Sequence, residues 1–135
     1  PPQRGVQLRW PEGSPRAVIL LLDAISPQGS LEEQLRAITA TGCEEGELLE
    51  KSEPAPIAHA SYAALSIAAQ LRVQRGENTH IEHRSFVLLD AGSDRLPLVF
   101  IGTNESLAAH RAAFIALCES VSAQEEKGIA QSYDR

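Results

Sequence analysis

The segment THIEHRSFVLLDAG, residues 79–92, places two histidines and a glutamate within four positions. Imidazole and carboxylate groups bind zinc and act as general acids and bases, so this stretch could hold a metal or move protons. A helix would put His80 and His83 on one face, whereas a strand sends alternate side chains to opposite faces. The apolar run that follows favours a strand. We therefore expect His80, Glu82 and Arg84 to share one face and no metal to bind.

Two aspartates and one histidine form the second candidate group. Asp23 and Asp90 each end an apolar segment, and His83 lies on the more apolar face of its predicted strand. In α/β folds, residues at strand ends often line the ligand crevice. The three residues are the candidates for a catalytic site, with His83 as a base. A structural explanation stays open for each, because aspartate is common in turns and a buried histidine commonly has one hydrogen-bond partner.

A third candidate lies at GTNES, residues 102–106, where a predicted strand gives way to a helix. The free N–H groups of a helix start can hold an anion, so Thr103 and Asn104 are the anion-binding candidates. The sequence contains none of the motifs GxGxxG, GxxxxGK[ST], GxSxG and HExxH. It therefore predicts no cofactor.

Composition and charge bound the function classes. The chain has 135 residues, of which 43% are hydrophobic and 22% charged, as in one ordinary globular domain. A net charge of −6 makes nucleic acid an improbable partner except through a complex. The longest apolar runs are too short to span a bilayer, so no membrane association is expected.

The two cysteines, Cys43 and Cys118, lie 75 positions apart and form no disulfide or zinc pattern. They indicate a cytoplasmic location, although a removed targeting peptide stays open. Cys118 belongs to a predicted helical core stripe. Cys43 lies in an acidic stretch, which raises the pKa of a thiol and makes it a poor nucleophile.

The apolar pattern predicts two hairpins, formed by residues 6–10 with 16–24 and by residues 81–92 with 96–102. Three helices are predicted: from Ser30 to about Ala40, over the alanine-rich residues 56–76, and after Thr103 or Asn104. A short edge strand is a further possibility near Leu48 and Leu49. The alanine-rich helix is apolar around most of its circumference, so it should be central. The expected fold is α/β (α+β): one domain over residues 1–124, with a mixed sheet of about four strands packed with three helices, and a polar tail over 125–135.

The order of these elements resembles a known family. The segments LRWPEGSPRAVILLLDA, SLEEQLRA, LLEKSEPAPIAHASYAAL and NTHIEHRSFVLLDAGSDR are similar, one after another, to the small kinase-binding subunit of the KEOPS complex, which modifies tRNA. The likeness covers about residues 6–95. It implies a non-catalytic accessory subunit with a protein partner. It carries no functional residue over to this chain.

These observations favour a non-enzymatic protein-interaction or adaptor subunit that acts as an oligomer or within a larger complex. The positive ground is the alanine-rich helix, whose apolar surface exceeds what three helices and a small sheet readily enclose. The alternative is a small enzyme or ligand-binding protein that uses Asp23, Asp90 and His83 around one pocket.

Overall fold

In the part of the chain that the structure describes, one antiparallel sheet carries a helix on each face. The computed structural model of the chain describes residues 6–9, 17–59 and 61–120. In chain order the elements are β1 (Val6–Arg9), β2 (Ala17–Leu21), α1 (Leu31–Gly42), β3 (Glu47–Lys51), β4 (Ala55–Pro56), β5 (Ala63–Arg75), β6 (Asn78–Asp90), β7 (Arg95–Gly102) and α2 (Asn104–Ser120). The strands lie in the order β1-β2-β7-β6-β5-β3, and β4 also pairs with β5.

Both predicted hairpins are confirmed. β1 pairs with β2 and β6 pairs with β7, in each case antiparallel. The second hairpin turns at Gly92, whose φ of 90° favours glycine, and Ala91 donates a backbone hydrogen bond of 3.0 Å to Asp94. The predicted turn at 11–15 and the predicted tail at 125–135 lie outside the described residues.

The mixed sheet of about four strands is corrected in two respects. Among the described residues the sheet has seven strands, and all of its pairs are antiparallel. The additional strands come from residues 47–75, of which only the short edge strand at Leu48 and Leu49 was considered from the sequence. The α+β class stands.

The predicted alanine-rich helix at 56–76 is wrong, because most of this segment is strand β5, paired along its whole length with β6. From Leu65 to Val73, every second residue faces the core under α1, and the intervening residues are Ser, Ala, Gln and Arg. This alternation has the period of a strand rather than of a helix. The alanines made residues 56–76 look like a helix that is apolar around most of its circumference, and this obscured the strand period.

Ser30 caps helix α1 as predicted, and the helix runs from Leu31 to Gly42. Ser30 Oγ accepts a 3.0 Å hydrogen bond from the Glu33 N–H, and Glu33 Oε1 accepts one of 3.0 Å from the Ser30 N–H, which completes a capping box. The helix packs on β5 and β6 through Leu35, which is fully buried. At its end a side chain in place of Gly42 would place Cβ 2.3 Å from the Phe86 ring, so glycine allows the close approach.

The sheet divides the interior into two cores. Phe114 and Cys118 of α2 pack on the face formed by β2, β7 and β6, and α1 packs on the opposite face. The predicted last helix and the burial of Cys118 are thereby confirmed. Neither helix in the described ranges is long and apolar enough to cross a membrane.

Candidate functional site

The structure does not bring the three catalytic candidates together. Asp23 follows β2 and Asp90 is the last residue of β6, at the same end of the sheet, beside the first residues of β7. His83 lies seven residues before Asp90 on β6, which corresponds to about 23 Å along a strand. His83 therefore cannot act as a base on a group held by Asp90.

Each aspartate has a structural environment of its own. Asp90 Oδ1 accepts a 3.0 Å hydrogen bond from the Gly92 N–H and lies 3.8 Å from Arg95 Nε, so it stabilises the β6–β7 turn. Asp23 is exposed just after β2. These positions fit the turn and cap roles that the sequence left open.

His83 faces the core under α2 and is buried. Its Nε2 lies 3.1 Å from Ser85 Oγ, and its Nδ1 has no hydrogen-bond partner among the described residues. Burial lowers the pKa of the imidazole below its usual value of 6.5, and the positive charge of Arg111 lowers the pKa further. His83 is therefore a neutral buried histidine at pH 7, and it is its distance from Asp90, not its charge state, that separates it from the other two candidates.

The HIEH segment is a strand, as predicted. His83 is buried while His80 is exposed, and the guanidinium of Arg84 contacts Glu82 Oε1 at 2.8 Å on the face opposite His83. Within the described part of the chain, no three histidine, cysteine, aspartate or glutamate side chains are grouped so that they could hold a metal ion.

The start of α2 uses its own side chains as caps. Thr103 Oγ1 accepts a 3.1 Å hydrogen bond from the Ser106 N–H, and Ser106 Oγ accepts one of 2.7 Å from the Thr103 N–H. Glu105 adds a negative charge to the first turn. The cap and this charge both disfavour an anion at Thr103 and Asn104.

An apolar groove lies along α1 on the face opposite α2. α1 covers β5 and β6 but leaves the adjoining β2 and β7 without a described helix above them. Two overlapping cavities of about 530 and 580 Å³ occupy this space. The groove floor consists of Leu20, Leu22, Phe86, Val99 and Ile101, and its α1 wall consists of Gln34, Ala37, Ile38, Thr41 and Gly42.

Alternation along β2 and β7 explains the groove floor. Ile19, Leu98 and Phe100 point into the core under α2, whereas Leu20 and Ile101 point to the opposite face and are only partly buried. Both faces of these strands are therefore apolar, which is typical of a strand covered on both sides. In the structure, the described helices cover only one of those sides.

One end of the groove is formed by Arg84 and acidic residues. Arg84 is buried; its Nη1 donates a 2.7 Å hydrogen bond to the Gly42 carbonyl, and its Nη2 contacts both Glu45 and Glu82. Glu44 lines the same end and is exposed. Glu45 and Glu82 therefore pair with Arg84 while Glu44 lines the same end, so carboxylates outnumber the guanidinium there.

The other end is tied together by Gln34 and Arg95. Arg95 Nη1 donates a 2.8 Å hydrogen bond to Gln34 Oε1, and Gln34 Nε2 donates one of 3.0 Å to the Ser26 carbonyl. The backbone of Ile25 exchanges hydrogen bonds of 2.7 and 2.8 Å with that of Arg95. These contacts fix α1 and the loop before it against β7, so the groove wall has a defined position.

The sequence interpretation did not select the groove residues. The unalternated run AVILLL, residues 17–22, did indicate a strand with both faces covered. What it could not show was that α1 would lie over β5 and β6 instead of β2.

Cys43 is corrected from a residue of an acidic loop to a buried residue at the end of α1. Burial raises the pKa of its thiol, while the nearby positive charges of Arg84 and Lys51 act in the opposite direction. The prediction that Cys43 is a poor nucleophile keeps its direction but has a different cause.

Comparisons with known proteins identify a similar fold and nothing further. No family model matches the sequence, and the search of curated proteins found no match. Among solved structures, the chain is similar to PA94 of Pseudomonas aeruginosa, a protein of unknown function for which a role as a regulator has been suggested. The match has a TM-score of 0.63 and 14% sequence identity, and it covers 90% of this chain and 82% of that one. The two chains share a fold, and at this identity nothing about activity follows.

Proposed function

We propose that the protein is a non-enzymatic interaction subunit that binds a protein partner in the groove between α1 and strands β2 and β7. The observation that supports this most directly is the apolar floor around Leu20 and Ile101, over which no described helix packs. A contiguous apolar surface bordered by polar residues is typical of an interaction site. The alanine-rich helix on which the sequence expectation rested does not exist, so the groove replaces it as the ground for association.

A comparison within the sheet strengthens this proposal. On the α2 side, β5 is also left without a described helix above Ser66, Ala68 and Gln70. Those side chains are small or polar, as expected for a sheet face in water. The corresponding uncovered region on the α1 side consists of leucine, isoleucine and valine, which favours a covering partner there.

An accessory role in a larger complex, such as that implied by the likeness to the KEOPS subunit, is one form of this proposal. Its partner would occupy the groove, and contact with nucleic acid would come through the complex because the chain itself carries a net charge of −6. A cytoplasmic location and an oligomeric state remain predictions. An enzymatic role receives no support from the described geometry, since Asp90 and His83 lie far apart on β6.

Affinity capture from the source cell, quantified by mass spectrometry, tests the proposal with the variant Leu20→Glu. A carboxylate on the groove floor should abolish capture of a stoichiometric partner, because its charge would have to be buried in an apolar contact. Ile115→Glu is the matched control: Ile115 is 38% exposed on α2, away from the groove, and receives the same charge. The amount of partner recovered with Ile115→Glu should equal the amount recovered with the wild type.

A second variant keeps the test decisive if Leu20→Glu does not fold. Ile101→Thr keeps a β-branched residue in β7 and replaces one ethyl group of the groove floor with a hydroxyl group. We expect it to weaken capture while circular dichroism stays unchanged. Equal partner recovery from the wild type and both folded groove variants would refute the groove as the binding site.

A further inference from the structure

We infer that the occupant of the groove is a helix of the partner protein with one apolar face and with a lysine or arginine at the end that lies against Glu44 and Glu45. This inference rests on the proposed function and adds the shape and charge of the ligand to it.

The hydrogen bonding of the sheet excludes an added strand at this place. β2 pairs with β1 on one side and with β7 on the other, so its backbone groups are already used. The occupant must therefore lie on the face of the sheet and contact side chains. A helix with an apolar stripe is the element that packs in this way, as α1 does on the neighbouring strands.

The length and wall of the groove also fit a helix. The cavities follow α1, whose 12 residues span about 18 Å. This length accommodates about three turns of a second helix. Ala37 and Thr41 are exposed on the α1 wall one turn apart, and such small side chains let a neighbouring helix approach closely.

The negative charge at the Arg84 end of the groove favours a lysine or arginine at the adjacent end of the partner helix. The guanidinium of Arg84 donates to the Gly42 carbonyl, Glu45 and Glu82, and Glu44 lines the same end of the groove without such a contact, so carboxylates outnumber the guanidinium there. An anionic ligand, such as a fatty-acid carboxylate, would meet the excess negative charge. A cation on the partner would instead lie beside Glu44, which is exposed.

Two synthetic peptides of about 12 residues, lactam-bridged on the polar face to hold the helix, provide the probe. Both carry one leucine stripe, and they differ only in two lysines or two glutamates at one end. Fluorescence anisotropy with the full chain should show about three- to tenfold tighter binding of the lysine peptide. Added salt should reduce this preference.

The variants Glu44→Lys and Glu119→Lys separate local from overall charge. Both make the same change in net charge, but Glu119 is exposed on α2, away from the groove. Glu44→Lys should abolish or invert the preference for the lysine peptide, and it leaves both carboxylate partners of Arg84 in place. Glu119→Lys should keep the preference.

The outcomes distinguish the inference from the proposed function. If Leu20→Glu abolishes binding of both peptides but Glu44→Lys changes nothing, the groove binds helices and the charge assignment is wrong. If neither peptide binds at millimolar concentration while partner capture still depends on Leu20, the helical occupant is wrong and the proposed function stands.

Discussion

The two faces of strands β2 and β7 carry equally apolar residues but have different environments. On one face, Ile19, Leu98 and Phe100 are at most 2% exposed beneath α2. On the other, Leu20 and Ile101 remain partly exposed in the groove beside α1. The sequence of a strand can therefore specify two buried faces while the described helices cover only one. This difference is the main reason to assign the second face to a partner.

The largest expected effect distinguishes the two faces by stability. Leu98→Ala should lower the free energy of unfolding by about 2–5 kcal/mol, because the fully buried side chain leaves a cavity under α2. Ile101→Ala, three residues along the same strand, should cost about 1 kcal/mol, because its side chain is already partly hydrated. Urea denaturation of both variants measures the difference. Equal losses would show that the groove face is as well covered as the core.

An intermediate effect concerns the charge state of His83 in the core under α2. Because the pKa of His83 is lowered on folding, the unfolded chain binds more protons just below pH 6.5. The free energy of unfolding should therefore be constant with respect to this group above pH 6.5 and fall as the pH decreases towards the lowered folded-state pKa. Thermal denaturation in buffers between pH 5 and 8 would show this decline.

The variant His83→Gln should reduce that decline, whereas His80→Gln, at an exposed position on the same strand, should not. If both variants keep the full pH dependence, another group is responsible and His83 is not held neutral by its surroundings. The comparison thereby tests whether the α2 face is sealed from water.

The smallest effect is kinetic and compares one thiol from each core. Burial raises the pKa of Cys118 to about 12, and Cys43 is shifted in the same direction but also lies near Arg84 and Lys51, which favour its thiolate. In the native protein, iodoacetamide should therefore alkylate Cys43 faster than Cys118. Peptide mapping at successive times measures both rates. Faster modification of Cys118 would indicate that α2 opens before the end of α1 does.

Local signals in the sequence were sufficient for several elements. Ser30 predicted the start of α1, and the two apolar runs on either side of Gly92 predicted the β6–β7 hairpin, because capping and turn formation depend on neighbouring residues. The segment 63–75 was misassigned because alanine is compatible with both helix and strand. Its strand period was present from Leu65 to Val73, but pairing with β6 decided the outcome.

The candidate site divides in the same way. The residue types in Asp23, His83 and Asp90 suggested chemistry, but the seven-residue separation of His83 and Asp90 on one strand places them apart. Conversely, Leu20, Phe86 and Ile101 carry no chemical motif, and they became a site only through their shared position beside α1.

The sequence by itself determined the strand and helix periods in most of the chain, the capping of both helices and the apolar character of β2 on both faces. These properties depend on side chains a few residues apart. Only the tertiary structure decided which strands each helix covers, since that depends on contacts between residues that are far apart in the sequence. Gly42 meets Phe86 across a separation of 44 positions, and Gln34 meets Arg95 across a separation of 61 positions. The groove exists because those long-range contacts fix α1 over β5 and β6 and leave an apolar face of β2 and β7 beside it.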